Sequence, residues 1–399
     1  MVNGNMYALG SNRSVIRDLF EYGNERAKLV GRENIYDFSL GNPSVPAPEE
    51  VNEAIADIIA SVPSVAVHGY TSAQGSEATR KAIADDLNAR FGTSFTPAEL
   101  YISCGAAASL VSTLRALIAD DGTEIVGIAP FFPEYRCFVE ANGGRFVLVP
   151  ADEAEFQIDF AALERALTAK TAAVLINSPN NPSGTVYSEE TIRRLALLLE
   201  KKSAEYGRAI YLISDEPYRE LVYDGETVPF PPLYYKDTVV CYSYSKSLSL
   251  PGERIGYVLV PAAAAESARL YAAIAGAARA SGYVCAPSLL QRVIERCAGV
   301  RPHLEEYAAN RDLLYSALTE IGFRCVYPKG AFYMFIEAPD GDGDRFSEHA
   351  KQYDLLLVPG RSFGCERFLR ISYCVSGEMI RKSIPAFKKA FDEYEGLPH

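Results

Sequence analysis

The chain has 399 residues, 48% of them hydrophobic and 23% charged, with a formal net charge of −12. That balance belongs to a globular chain with ample material for a core, and it excludes intrinsic disorder. Net acidity argues against nucleic acid or an anionic membrane surface as a partner, and no apolar run approaches the ~20 residues that cross a bilayer.

The opening residues, MVNGNMYALGSNRS, lack the basic-then-apolar pattern of a secretory leader. Val51, Ile55, Ile58, Ile59 and Val62 recur at helical spacing and Pro63 ends that helix. Ser103-Cys-Gly-Ala-Ala107 opens a second helix that runs through Leu110, Leu114 and Leu117. Short apolar runs at 124–129, 146–149, 172–176, 209–213, 238–242 and 257–260 read as buried strands. Between the third and fourth, Ser188 is an N-cap, Leu195, Leu198 and Leu199 share one face, and Gly207 is a stop. Alternation of strand and helix predicts an α/β fold with a mostly parallel central sheet covered on both faces. Beyond it the pattern changes. A long helical stretch over 287–321 precedes strand-like segments at 332–337 and 367–374 and a final helix over 378–395. The expected organisation is a large domain over 46–286 and a smaller α+β domain built from 1–45 and 287–399.

Several patterns imitate other chemistries. Gly360-Arg-Ser-Phe-Gly364 satisfies G-x-S-x-G, but a strand-like segment follows where a nucleophile elbow needs a helix, so a tight glycine turn is expected. Asp340, Asp342 and Asp344 resemble the start of a calcium loop, yet the sixth position is Arg345 and the twelfth Lys351. The four histidines, at 68, 303, 349 and 399, have no metal-ligand spacing, so no metal is expected. None of the eight cysteines forms a C-x-x-C pair, which in a leaderless chain of this length reads as reduced thiols in a cytoplasmic protein.

The residues that carry chemistry gather at strand ends. Lys246, in Ser243-Tyr-Ser-Lys246, follows the strand 238–242, where open α/β sheets bind ligands. Arg254 lies eight positions on, past Pro251-Gly252, and a cation beside a lysine lowers its pKa and makes it a nucleophile. Taken alone, Lys246 also reads as an exposed lysine in a polar loop. Asp215 ends the strand 209–213 with Tyr218 three residues later; a buried carboxylate there needs a partner, unless it is a helix N-cap. Ser178-Pro-Asn-Asn-Pro-Ser-Gly184 is a rigid turn that presents Asn180 and Asn181. Small residues at Gly105, Ala106 and Ala107 let a phosphate approach a helix N-terminus. Phe131 and Phe132 offer an aromatic face beside it, or core packing. A phosphate cradle, an aromatic plate, an amide, a carboxylate and a lysine suit one flat phosphorylated aldehyde, pyridoxal 5'-phosphate.

With these motifs the sequence resembles the class I/II aminotransferases, the fold-type-I pyridoxal-phosphate family, from about Gly41 to Arg370. The resemblance rests on Ser245-Lys246-x-x-x-x-Pro-Gly-x-Arg254-x-Gly256 with Asp215-x-x-Tyr218 and Asn181-Pro-Ser-Gly184. It implies that Lys246 forms the Schiff base and later shuttles the proton. It further implies that Asp215 holds the pyridine nitrogen protonated, and that Asn181 and Tyr218 bond the ring's 3-oxygen. Phe132 lies on the ring face. Gly105, Ala106 and Ala107, with Ser243, Ser245 and Arg254, hold the phosphate. Tyr70 reaches the phosphate of a neighbouring subunit, which implies a homodimer with shared sites. Arg370 grips the substrate α-carboxylate, with the Gly41 N–H and Asn181 beside it; a guanidinium fork suits that role. One aspartate-specific subgroup carries a lysine at the place of Ala107, and this chain lacks that means of selecting aspartate. The implied reaction is ping-pong transfer of an amino group from an L-amino acid to a 2-oxo acid, with 2-oxoglutarate as acceptor. The alternative on the same frame is a C–S β-lyase. A cofactor-binding regulator needs a DNA-binding module, for which the residues before Gly41 leave no room. Tyr7, Arg361 and the loop near Tyr283 are further candidates for the side-chain pocket, without a spacing argument.

Overall fold

The computed structural model describes residues 1–11 and 14–394. Residue 395, where the helical pattern ends, and His399 lie outside the described residues. In chain order the strands are β1 (Tyr36–Asp37), β2 (Leu100–Ser103), β3 (Glu124–Ile128), β4 (Arg145–Val149), β5 (Thr171–Asn177), β6 (Tyr211–Asp215) and β7 (Thr238–Ser243). They continue with β8 (Gly256–Leu259), β9 (Cys325–Val326), β10 (Tyr333–Glu337), β11 (Leu355–Leu356), β12 (Val358–Pro359) and β13 (Phe368–Ser372).

Seven strands form the central sheet in the order β2-β8-β7-β6-β5-β3-β4. The five from β7 to β4 are mutually parallel, and β8 runs antiparallel to both β2 and β7. All seven residues of β5 are buried, as expected for a strand covered on both faces. Its pleat sends alternate side chains to opposite layers. Ala173 and Leu175 pack with Leu110 and Leu114 of helix Ala106–Leu117. Val174 and Ile176 pack with Ile192, Leu195 and Leu199 of helix Glu189–Tyr206. That second helix begins where Ser188 Oγ accepts from the Thr191 N–H at 3.0 Å and stops at Gly207, whose φ of 66° suits glycine.

Strands β12, β13, β10 and β9 form an antiparallel sheet in that order. Met334, Ile336, Leu369 and Ile371 from it share one core with Leu314 and Leu318 of helix Glu305–Ile321 and with Ile380 and Phe387 of helix Gly377–Asp392. Phe38 joins the same core, and β1 pairs in parallel with β11.

Three expectations change. The stretch 287–321 is two helices, Ser288–Cys297 and Glu305–Ile321, separated by a segment that contains Gly299 and Pro302. Strand β2 appears where the sequence showed only the start of a helix. The run at 257–260 is the antiparallel member of the sheet. The G-x-S-x-G segment is a 3-10 turn, Gly360–Phe363, leading to β13, with Ser362 Oγ donating to the Pro359 carbonyl. Among the described residues no cluster is arranged to hold a metal, and no helix is long and apolar enough to cross a membrane.

Candidate active site

The sheet's register aligns the groups named above. Asn177 at the end of β5 stands level with Asp215 at the end of β6, and Ser243 at the end of β7 stands level with Gly256 at the start of β8. Gly256 also stands level with Ser103 of β2. A cavity of about 310 Å³ opens over these strand ends.

One end of the cavity is built from small residues. Gly105 caps helix Ala106–Leu117 with φ +87°, and a Cβ there would lie 2.7 Å from Arg254 Nη2. Ala106 and Ala107 line the cavity with first-turn N–H groups that have no intrahelical acceptor. Ser243 Oγ accepts from the Ser245 N–H at 3.1 Å and bonds Ser245 Oγ at 2.6 Å. Arg254 Nη1 donates to Ser245 Oγ at 3.3 Å and to the Pro251 carbonyl at 2.9 Å. Two hydroxyls, a guanidinium and a helix N-terminus converge as a phosphate site requires.

Lys246 lies in the short helix Tyr244–Ser247, which follows β7 directly. Its Nζ donates to the Gly41 carbonyl at 2.6 Å and lies 5.5 Å over the Phe332 ring. Burial pushes the amine down to about 8; Arg370 and Arg254 act in the same direction and Cys374 opposes them. The sequence argument credited Arg254, but desolvation is the larger cause. Gly41 is required here, because a Cβ would meet Tyr333 Oη at 1.9 Å.

Asp215 is 4% exposed. Its Oδ2 accepts a short hydrogen bond from Tyr135, and its Oδ1 has no partner. Burial raises the acid to about 7, the Tyr135 bond lowers it, and Glu216 raises it further. Asn177 Nδ2 donates to the Asp215 carbonyl at 2.9 Å, and Asn177 Oδ1 accepts from the Asn181 N–H at 2.8 Å. Asn180 turns away to tie the loop, with Nδ2 on the Pro130 carbonyl and Oδ1 on the Ser183 N–H.

Arg370 on β13 is 2% exposed. Its Nη1 donates to Asn181 Oδ1 at 3.0 Å, its Nη2 donates to the Ser39 carbonyl, and its Nε has no partner. The guanidinium lies between the rings of Tyr333 and Phe363, 4.8 and 5.1 Å from their centroids. Tyr218 and Tyr333 share a 2.9 Å hydrogen bond between hydroxyls, and burial raises both phenols. Phe132 lines the cavity, whereas Phe131 packs in the core beside Phe146.

Some expected residues lie elsewhere. Gly105 is not on the cavity wall; Tyr70, expected to reach a second copy rather than this cavity, is 98% exposed. Tyr7 is exposed and Arg361 is paired with Asp344; neither these nor Tyr283 line the cavity. Sequence reasoning missed Tyr135, Asn177, Tyr333 and Ile16. Asn177 carried a signal, being a polar residue at the end of an apolar strand. The two tyrosines carried none, since each acts on a partner distant in the chain.

Fold and site define an α/β enzyme in which an amine of lowered pKa, a buried carboxylate and a buried guanidinium meet in one cavity over the carboxyl ends of a mostly parallel sheet. Residues 33–387 match the family described as "Aminotransferase class I and II", and the chain belongs to that family, whose members depend on pyridoxal phosphate. It is similar to the aspartate/prephenate aminotransferase of Thermus thermophilus, with 30% identity over 92% of this chain and 94% of that one. Among solved structures it resembles an aminotransferase from Eubacterium rectale, at 59% identity and a TM-score of 0.97 over 99% of both chains. It also resembles the aspartate aminotransferase of Thermotoga maritima, at 25% identity and a TM-score of 0.86 over 98% of this chain and 100% of that one. The chain is a pyridoxal-phosphate-dependent aminotransferase.

Proposed function

We propose that the chain transfers the amino group of an L-amino acid to a 2-oxo acid, with 2-oxoglutarate as acceptor, in two half-reactions at this one site. In this reading pyridoxal 5'-phosphate is held through the Lys246 amine. The observation that carries the reading is the buried Asp215 carboxylate, with one oxygen satisfied by Tyr135 and the other open. A buried acceptor without a donor is costly, and a protonated ring nitrogen is the donor it fits.

The other residues suit the group. Ser243, Ser245, Arg254 and the N–H groups of Ala106 and Ala107 hold its phosphate, Phe132 covers the ring, and Asn181 and Tyr218 bond the 3-oxygen. When bound, the cofactor supplies an electron sink for the substrate α-carbon. Lys246 Nζ would take the proton from the substrate α-carbon and hand it back as general base and acid. Its lowered pKa keeps a useful fraction of the amine neutral near pH 8. Arg370 and Asn181 fix the α-carboxylate, with the Gly41 backbone beside it, so that the α-proton faces Lys246.

We further assign 46–286 to a large cofactor domain and 1–45 with 287–399 to a small one, and we read the exposed Tyr70 as reaching the phosphate of a second copy in a homodimer. Eight free cysteines suit a reducing, cytoplasmic compartment. The test is a half-reaction screen. Protein loaded with pyridoxal phosphate is mixed with single L-amino acids, aspartate and the aromatic ones of its relatives first, and the bound chromophore is followed. Stoichiometric bleaching that 2-oxoglutarate reverses is expected. Pyruvate and ammonia without an acceptor would indicate the β-lyase, and no bleaching with any amino acid would overturn the reading.

A further inference from the structure

Behind the cavity wall, one buried guanidinium ties together the chain segments that present Asp215, Lys246 and Arg254. Arg219 is 4% exposed. Its Nε donates to Glu216 Oε2 at 2.5 Å, and Glu216 Oε1 accepts from Ser214 Oγ at 2.7 Å. Ser214 and Glu216 are the two chain neighbours of Asp215. Both terminal nitrogens of Arg219 donate to the Tyr257 hydroxyl at 3.1 Å, one residue past Gly256 on β8. The guanidinium also lies 4.5 Å from the centroid of the Tyr242 ring on β7. Tyr242 donates to Glu220 Oε2 at 2.7 Å and shares a 2.8 Å bond with Ser247 Oγ, next to Lys246 in the chain. Glu220 Oε1 accepts from Arg90 Nη1 at 2.7 Å.

None of these side chains lines the cavity, so none touches substrate. Their charges still reach it. A buried carboxylate one residue from Asp215 raises the Asp215 acid, and Arg219 is ion-paired with that carboxylate. The titratable groups that interact with Asp215 are Tyr135, Tyr218, Cys241 and Glu216; those that interact with Lys246 are Arg370, Arg254 and Cys374.

We propose that Arg219 is a positioning residue of this site: through Glu216 it balances the charge beside Asp215, and through Tyr242 and Ser247 it fixes the turn that carries Lys246. The inference rests on the reading of the cavity as a pyridoxal-phosphate site. A core ion pair with no functional part would make the same contacts, so the test reads more than stability. Cofactor-free wild type, Arg219→Met, Arg219→Lys, Glu216→Gln/Arg219→Met and Ser247→Ala are titrated with pyridoxal phosphate by absorbance. The pH midpoint of the bound chromophore and the thermal midpoint are recorded for each. Arg219→Met is expected to weaken binding about tenfold or more and to move the pH midpoint. The double variant should regain most of the affinity, since no unbalanced carboxylate is left beside Asp215. Ser247→Ala, which changes no charge and keeps the decision open should Arg219→Met fail to fold, should move the pH midpoint with little change in thermal midpoint. If the folded variants lose only thermal stability, with wild-type affinity and pH midpoint, the positioning role is refuted. If wild type itself takes up no pyridoxal phosphate, the reading of the cavity falls and this role with it.

Discussion

Replacing Arg370 with leucine isolates the contact proposed to select an α-carboxylate. The guanidinium is buried and fixed by Asn181 Oδ1 and the Ser39 carbonyl, with Nε left over. Burial pushes its pKa down, yet a guanidinium stays charged at neutral pH. A hydrogen bond to a charged partner contributes about 1.5–3 kcal/mol, so a two-pronged grip contributes about 3–6 kcal/mol. Its loss should reduce kcat/KM for an amino acid by roughly a hundred- to ten-thousand-fold. Arg370→Lys keeps the charge but lacks the fork, and should lose about the value of one prong. The assay is the bleaching half-reaction, run with an amino acid and with the primary amine of the same side chain, which has no carboxylate. Arg370→Leu should penalise the amino acid and leave the amine nearly unchanged. The leucine variant also strands two buried acceptors, so its thermal midpoint should fall as a separate effect. Equal losses toward amino acid and amine would refute the assignment, because the defect would then lie in the fold.

Three further outcomes follow from the same geometry. The Asp215 acid is raised to about 7 from 3.8, so between these values the cofactor-free fold holds a proton that the unfolded chain has released, and stability falls as pH rises. Asp215→Asn should therefore be more heat-stable than wild type above pH 7 without cofactor, with the gap closing toward pH 4, while its affinity for pyridoxal phosphate collapses. Lys246 has the opposite slope: its amine is lowered to about 8 from 10.5, so the unfolded chain holds more protons in that window and stability rises with pH. Lys246→Met should remove that rise in a thermal-melt series on cofactor-free protein. Gly41→Ala places a methyl 1.9 Å from Tyr333 Oη; it should cost about 1–3 kcal/mol in denaturant unfolding and, by moving Tyr333 from Tyr218, reduce kcat/KM.

The parallel core was legible because β3, β5, β6 and β7 are buried on both faces and therefore read as continuous apolar runs. Strand β2 was not, since four residues beside a Ser-Cys-Gly-Ala turn give no period to count. The split at 298–304 had its signal in Gly299 and Pro302, but amphipathic spacing on both sides masked it. In the site, Lys246, Asp215, Asn181 and Arg254 sit in local motifs at or just beyond the ends of strands in the central sheet, while Arg370 sits in mid-strand on β13 of the smaller sheet and was legible from its motif. Tyr135 acts on a residue 80 positions away and Tyr333 on one 115 positions away, so only the tertiary fold distinguishes them from the other tyrosines of this chain.

Burial explains why the pKa values on the cavity wall lie so far from their ordinary range. Lys246, Arg254 and Arg370 are three basic side chains that line one cavity with a single carboxylate, Asp215. Burial makes the lysine give up its proton more readily, with Arg370 and Arg254 acting the same way, and makes the aspartate keep its own, with Glu216 acting the same way. A phosphate, which carries about two negative charges at neutral pH, beside Arg254 and a carboxylate beside Arg370 would reverse that imbalance. In the proposed reading, the same arrangement that makes the cofactor-free fold costly near pH 7 would serve to bind two anions and one protonated ring nitrogen. For Asp215, whose ionised form burial disfavours, stability and affinity should therefore move in opposite directions when the charge is neutralised, which a melt of Asp215→Asn with and without pyridoxal phosphate reads directly.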